Sequence, residues 1–353
     1  TRFTHLNDVL HGGIPRQKII TIGALSSFGK SHNLRQIEED IFDEKLNPGA
    51  LENVILCKCD FEMSKEESII SKVHEKTGRP FKEILYDEPD EEIKKAFNEV
   101  YLELSRNHIY ETFDTYKPDA FYDEIVAFVQ PFLNEFTDTI TGHTEEKKDA
   151  DGKIIEPSVA LYEEKNENYK QQIVLSIDNI NLIDDDGSNE SAAIGKLITH
   201  LIRLKRDIKS LTIIILAQLN RDLKMRINPK EHFPRTSDFY NSSKIEHASD
   251  VQIIIHIPYL LGYSEYGAVN YERFEYLSEY LEEKNKYAVF NTKGLAFWHY
   301  VKVRIKGSMK DFRDVYVEKI FNVGEDDTEV HTRSKTTKPI FDDEKPQPIK
   351  PNY

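Results

Sequence analysis

Cysteine is nearly missing from this chain: there are two, Cys57 and Cys59, separated by one residue. That excludes a disulfide framework. A structural metal site would need further Cys or His ligands at a recognised spacing, and none stand nearby. Both cysteines are expected to be buried thiols of a reducing cytoplasm. Long apolar runs are also missing. No stretch approaches the roughly 18–20 residues that a membrane-spanning helix needs, so no membrane span is expected. The opening Thr1-Arg2-Phe3-Thr4 has neither an initiator Met nor a basic-then-apolar leader, and it reads as an excised piece of a longer protein that is not exported. Basic charge is in deficit, with 47 Lys and Arg against 62 Asp and Glu and a net charge of −15. Such a chain has no general affinity for nucleic acid, and phosphate contact would need a locally basic lining. No internal repeat is visible.

What is present is an alternation. Short β-branched runs recur at Lys18–Ile22, Val54–Cys57, Ile173–Ile177, Thr212–Leu216 and Val251–Ile255. Unbroken apolar runs of this length suit strands covered on both faces. Helical patterns lie between them, at Ser31–Phe42, Lys65–Glu75 and Ala192–Lys209. The last carries a stripe of Ile194, Leu197, Ile198, Leu201, Ile202 and Leu204, the spacing of one helix face. Strands alternating with helices predict an α/β fold with a mostly parallel central sheet flanked by helices. Two stretches interrupt the pattern and read as insertions, at about 137–170 and 259–296. The domain is expected to span 1–323, followed by a polar, Pro-containing tail over 324–353 that reads as disordered.

The first strand runs into Gly23-Ala24-Leu25-Ser26-Ser27-Phe28-Gly29-Lys30-Ser31. This has the form of a phosphate-binding loop between a strand and a helix. Its backbone N–H groups, from Ala24, Ser26, Ser27, Phe28, Gly29, Lys30, Ser31 and His32, can cradle the phosphates of ATP. Lys30 is positioned to reach the β- and γ-phosphates, and the Ser31 hydroxyl to hold Mg²⁺. The pattern asks for Gly where Ala24 stands, and Gly23 sits one residue early. Mg²⁺ also needs a carboxylate at a nearby strand end, and Asp178 closes the run Ile173–Ile177. Two more carboxylates follow the second strand, in Cys59-Asp60-Phe61-Glu62-Met63. Either could activate the attacking water as general base, and chemistry alone leaves the choice between Asp60 and Glu62 open.

Several segments, in order, resemble the motor domain of DnaB-type replicative helicases over roughly residues 1–320. They are Phe3–Ile14, Asp60-Phe61-Glu62-Met63-Ser64, Leu216-Ala217-Gln218-Leu219-Asn220-Arg221, the ungapped block Ser237–Val251, and Val301-Lys302-Val303-Arg304. The resemblance implies a RecA-like P-loop NTPase. It tips the base to Glu62 and makes Gln218 a sensor of the γ-phosphate. It makes Lys302 and Arg304 finger residues that reach a neighbouring subunit's ATP site. It places Tyr240, Asn241, Ser243 and Lys244 in a loop facing single-stranded DNA. The implied partners are single-stranded DNA and further copies of the chain in a homohexameric ring, with a primase, loader or polymerase as further candidates. The implied travel is 5′-to-3′, in a bacterial or phage-infected cytoplasm.

The chain departs from the family pattern at Ala24, at Asn179 (where an aromatic is usual), at Tyr240 (where the loop has Arg), at Ser243 (where it has Gly) and in one extra residue before Gly307. These departures suggest a divergent, phage-type member. One independent sign of nucleic-acid contact remains. Between positions 221 and 244 stand Arg221, Lys224, Arg226, Lys230, Arg235 and Lys244, against only Asp222, Glu231 and Asp238. A basic loop followed by Phe239 and Tyr240 fits contact with a single strand by charge and stacking. The rival expectation is a RecA-like ATPase of recombination or KaiC-like type without helicase activity, since one fold hosts many functions.

Overall fold

A computed structural model describes residues 1–105, 109–112, 117–136, 172–183, 189–226, 233–240, 242–263, 265–267, 289–291, 293, 295–305 and 315–319, together with four strands of two or three residues between 142 and 162. Eight strands form one sheet and are labelled in chain order: β1 (Lys18–Ala24), β2 (Val54–Asp60), β3 (Ile109–Thr112), β4 (Gln172–Asp178), β5 (Leu211–Gln218), β6 (Val251–His256), β7 (Leu295–Val303) and β8 (Val315–Lys319). Their spatial order is β8-β7-β6-β1-β5-β4-β2-β3. The run from β6 to β3 is parallel, while β7 and β8 add an antiparallel edge.

The five strands expected from the β-branched runs are all present, each slightly longer than its apolar run. Their residues are buried almost without a break, as two-sided cover requires. Four helices matter for the site: α1 (Thr4–Val9), α2 (Lys30–Ile41), α3 (Lys65–Thr77) and α4 (Glu190–Asp207). The α3 helix begins with a reciprocal cap, in which Ser64 accepts from the Glu67 N–H and Glu67 accepts from the Ser64 N–H. The α4 helix begins with Asn189 accepting from the Ala192 N–H at 2.9 Å. Its stripe of Ile194, Leu197, Ile198, Leu201 and Leu204 is buried, at roughly 1.5–3 kcal/mol per side chain.

Three strands of the sheet fall outside the five expected runs: β3, β7 and β8. β3 is a four-residue segment of mostly half-buried residues. β7 starts at Leu295, inside the stretch read as the second insertion, and it carries three deeply buried aromatic side chains, Phe297, Trp298 and Tyr300. The rest of that insertion is described only as the turn Pro258–Leu261 and a hairpin of Glu265–Gly267 with Val289–Asn291. Most of both insertions, and the 324–353 tail, lie outside the described residues.

β7 is where the start of the chain docks. Phe3 and His5 each lie 5.0 Å, centroid to centroid, from Trp298. His5 Nδ1 is 2.8 Å from the Tyr300 hydroxyl. On the other side of the strand, His299 Nε2 is 3.1 Å from the Tyr266 hydroxyl. Burial holds both imidazoles down at about 3. An unfolded chain titrates them near 6.5, so between these values the unfolded state binds protons that the folded state refuses. Stability is therefore fully present above about pH 6.5 and lost as the pH falls, by about 1.4 kcal/mol per histidine per pH unit. We expect thermal unfolding at pH 5.5 to occur well below that at pH 7.5, and a His299→Gln variant to flatten the slope. A pH-independent midpoint across that window would contradict this.

Candidate active site

The carboxyl ends of β1, β2, β4 and β5 meet at one edge of the sheet, which is where open α/β sheets place their ligands. β1 delivers the loop Leu25–Gly29, and α2 starts directly at Lys30. The tight turn needs left-handed backbone at Ser27, φ 67°, and at Gly29, φ 77°. Asn33 fastens the loop to the helix by donating its side-chain N–H to the Gly29 carbonyl at 2.8 Å. Ser26 and Ser27 are exposed. Phe28 turns its ring into the core, 6.3 Å from the His256 ring, so only its backbone is left to face a phosphate. His32 turns sideways, with Nδ1 3.0 Å from Glu75 and Nε2 3.3 Å from Gln36.

The displaced glycine has a packing reason. Gly23 lies on β1 where a Cβ would overlap the ring of Phe239 and come within 3.0 Å of Leu219. Phe239 is fully buried. Gly23 thus makes room for the segment after β5, while Ala24 ends the strand in a fully buried position. We expect Gly23→Ala to cost about 1–3 kcal/mol by overpacking, read as a lowered melting temperature. An unchanged midpoint would mean that Phe239 can move aside.

Lys30 is buried and makes no ion pair among the described residues. Asp178 faces it across the site. Burial raises the Asp178 carboxyl to about 7; the Ser31 hydroxyl bonded to it and the charge of Lys30 oppose the rise, while Asp60 and Glu62 add to it. One oxygen of Asp178, Oδ1, is buried with no hydrogen-bond partner. A buried carboxylate oxygen without a donor, next to two other carboxylates and a hydroxyl, is the environment that a divalent cation satisfies. Ser31 and Asp178 therefore fit Mg²⁺. Among the described residues no cluster of three or more His, Cys, Asp or Glu could hold a metal alone. A cation arriving with a nucleotide does not need one, because Mg²⁺ uses one or two protein groups and takes phosphate oxygens for the rest.

Asp60 and Glu62 separate clearly. Asp60 is in register with Asp178 on the neighbouring strand. Its carboxylate is buried and accepts from the backbone N–H groups of Glu62 at 3.1 Å and Met63 at 3.0 Å. It is occupied in closing the turn. Glu62 is exposed and its carboxylate has no hydrogen bond or ion pair among the described residues, yet it is near enough to act on Asp178.

Gln218, at the end of β5, has its backbone engaged on both sides. Its N–H donates to Asn181 Oδ1 at 3.0 Å, and its carbonyl accepts from the Tyr240 N–H at 3.0 Å. The Asn220 N–H donates to the Asp238 carbonyl at 2.7 Å. The segment after β5 is thus stitched to the start of the block Ser237–Val251.

Residues 154–298, which include Asp178, Gln218 and the whole of that block, match the family model of the DnaB-like helicase C-terminal domain. That match spans under half of the chain. Two similar solved structures share the fold. One is described as an ATPase domain, at 14% identity and a TM-score of 0.58, covering 90% of this chain and 86% of that one. The other is a DnaB-like replicative helicase described with its interactions with primase, at 14% identity and a TM-score of 0.56, covering 91% of this chain and 59% of that one. No curated protein sequence matches.

The remaining candidate residues fall into two groups. Arg221, Lys224, Arg235 and Ser243 are exposed. Tyr240 is 38% exposed, its hydroxyl 3.3 Å from Glu190. Arg304 is exposed too, and only its backbone is engaged, with the N–H donating to the Asp250 carbonyl at 2.8 Å. The other group is bonded within its own chain. The Lys244 ammonium donates to the Ser191 carbonyl and lies over Gly195. The Lys302 ammonium donates to the Glu246 carbonyl and is nearly buried. Arg226 pairs with the buried Asp238. Asn241 and Lys230 lie outside the described residues. Asn181 is not among the residues expected from the sequence. Its only signal there is a second amide three positions after a strand-terminal Asp, in Asp178-Asn179-Ile180-Asn181.

Proposed function

We propose that this chain is the ATP-driven motor of a replicative helicase of the DnaB type, moving on single-stranded DNA as a ring of identical subunits. Its support is one observation: Lys30, Ser31, Asp178, Glu62 and Gln218 converge at one edge of the sheet, and the backbone of Gln218 is hydrogen-bonded to Tyr240 in the candidate DNA loop. In this reading the loop N–H groups and Lys30 hold the β- and γ-phosphates. Ser31 and Asp178 hold the Mg²⁺, which when bound supplies positive charge to the phosphoryl oxygens. Glu62 takes the proton of the attacking water. Gln218 senses the γ-phosphate, and Arg304 of one subunit stabilises transition-state charge in the next. Lys302 would join it only by leaving its bond to Glu246. Arg221, Lys224, Arg235 and Tyr240 would meet the strand by charge and stacking, with Asn241, Ser243 and Lys244 in the same loop. A primase, loader or polymerase would dock elsewhere on the ring.

The test is ATP hydrolysis with and without a single-stranded oligonucleotide, at protein concentrations high enough for assembly. Turnover that rises with the oligonucleotide supports the motor. Turnover indifferent to it would move the assignment to a RecA-like ATPase that is not a helicase. No turnover with either would overturn both.

A further inference from the structure

The end of β4 carries two amides for which the chemistry above has no use. Asn179 is fully buried, and Asn181 partly so. Asn179 accepts from the Asn181 N–H at 3.2 Å, and its carbonyl accepts from the Leu182 N–H at 3.0 Å. A short turn thereby fixes Asn181 to the residue after Asp178. Asn181 in turn accepts from the Gln218 N–H. The side-chain N–H₂ groups of both asparagines are buried without a partner.

The sheet explains why a side chain is needed here. β4 pairs with β5 only as far as Ile177 with Ile215. On its other side β5 stays paired to Ala24 of β1 through Gln218. The Gln218 N–H points towards the side where β4 has already ended, since the next N–H, that of Leu219, goes to Ala24 of β1. A buried N–H without an acceptor costs about 1–3 kcal/mol. Asn181 is the acceptor that replaces the missing strand. A path therefore runs from Asp178 along the chain to Asn179, and from there by hydrogen bonds through Asn181 to Gln218 and on to Tyr240.

We propose that Asn181 is a positioning residue, which sets Gln218 relative to Asp178 and so ties the response to single-stranded DNA to the state of the nucleotide site. This rests on the motor reading above. Asn181 acts only through Gln218.

The test uses Asn181→Leu, which keeps the size but removes the acceptor, and Asn181→Asp, which keeps the acceptor. Each is assayed for binding of a fluorescent ATP analogue and for ATP hydrolysis with and without a single-stranded oligonucleotide, at saturating Mg²⁺. For Asn181→Leu we expect nucleotide binding close to wild type and oligonucleotide stimulation reduced roughly three- to tenfold, the kinetic equivalent of about one hydrogen bond. Asn181→Asp should keep most of the stimulation. The inference is overturned if Asn181→Leu is stimulated like wild type, if both variants lose stimulation equally, or if Asn181→Leu loses nucleotide binding as well, which would mark a purely structural role. A wild-type protein that does not respond to the oligonucleotide removes the motor reading and this inference together, so the two failures are told apart by the wild type alone.

Discussion

Glu62→Gln should lower the turnover number for ATP by about 10²- to 10⁴-fold, the usual contribution of a positioned general base, while leaving the apparent affinity for ATP within a few-fold. Glu62 is the one carboxylate of the three at this edge that is free to act on a water. Asp178 is tied to Ser31 and fits the cation. Asp60 closes a turn with two backbone N–H bonds. Glutamine keeps the length of Glu62 and its hydrogen bonding but cannot take a proton. Because Glu62 is exposed and its carboxylate makes no bond among the described residues, the change should leave the fold intact.

The decisive control is Asp60→Asn. Its Oδ1 can still accept from the Glu62 and Met63 N–H groups, so turnover should fall less than about tenfold, as expected for a group that only holds a turn. Steady-state hydrolysis with both variants decides between them. If Asp60→Asn fell further than Glu62→Gln, the roles would have to be exchanged.

The choice between these two carboxylates shows where sequence reading stops. The strands bearing the phosphate loop and Asp178 are plain in the sequence because each is a β-branched run covered on both faces. β3 is not, since Ile109-Tyr110-Glu111-Thr112 is short and half-buried at an edge. β7 hides among Tyr and charged residues because its buried partners, Phe3 and His5, lie nearly three hundred residues away. The loop and the acidic residues sit at strand ends and are visible as local patterns, while Gln218 is marked only by the resemblance of its segment. Asn181 is invisible because its partner is a backbone N–H on another strand, and backbone groups leave no mark in a sequence. The same holds for Lys244 and Lys302, expected to face DNA and a neighbouring ATP site, whose ammonium groups donate to the carbonyls of Ser191 and Glu246. Gly23 looked like a misplaced loop glycine until Phe239 appeared beside it.

Lys58→Met should destabilise the fold by about 3–5 kcal/mol, the cost of breaking a buried ion pair from one side, and lower the melting temperature by on the order of 5–10 °C. Ser176 of β4, Lys58 of β2 and Glu111 of β3 stand in register across three neighbouring strands. Glu38 of α2 comes down on this row. The Lys58 ammonium lies 3.3 Å from Glu38 and 3.2 Å from Glu111, and all three side chains are under 10% exposed. Glu38 also accepts from the Ser176 hydroxyl at 2.6 Å, and Glu111 is 3.3 Å from Lys72. Burial by itself would lower Lys58, and the surrounding Glu38, Glu111 and Asp60 outweigh it, so its net shift is upward. The lysine therefore supplies the positive charge that faces two buried glutamates where α2 meets the sheet.

Methionine fills the volume and leaves the glutamates facing each other. Lys72 can still serve Glu111, but Glu38 keeps only a hydroxyl. The cost should thus fall mainly on Glu38, and adding Glu38→Gln to Lys58→Met should recover a large part of the loss. A double-mutant cycle by thermal or urea unfolding measures this coupling directly. If the double variant were no more stable than Lys58→Met alone, the penalty would come from lost packing of the lysine stem, and the charge row would not be what fixes α2 on the sheet. Because Lys58 also holds Asp60 down, its loss should raise the Asp60 carboxyl further. Glu62, two residues beyond and held outside the row, should keep its role, so the turnover that survives per folded molecule should stay near wild type.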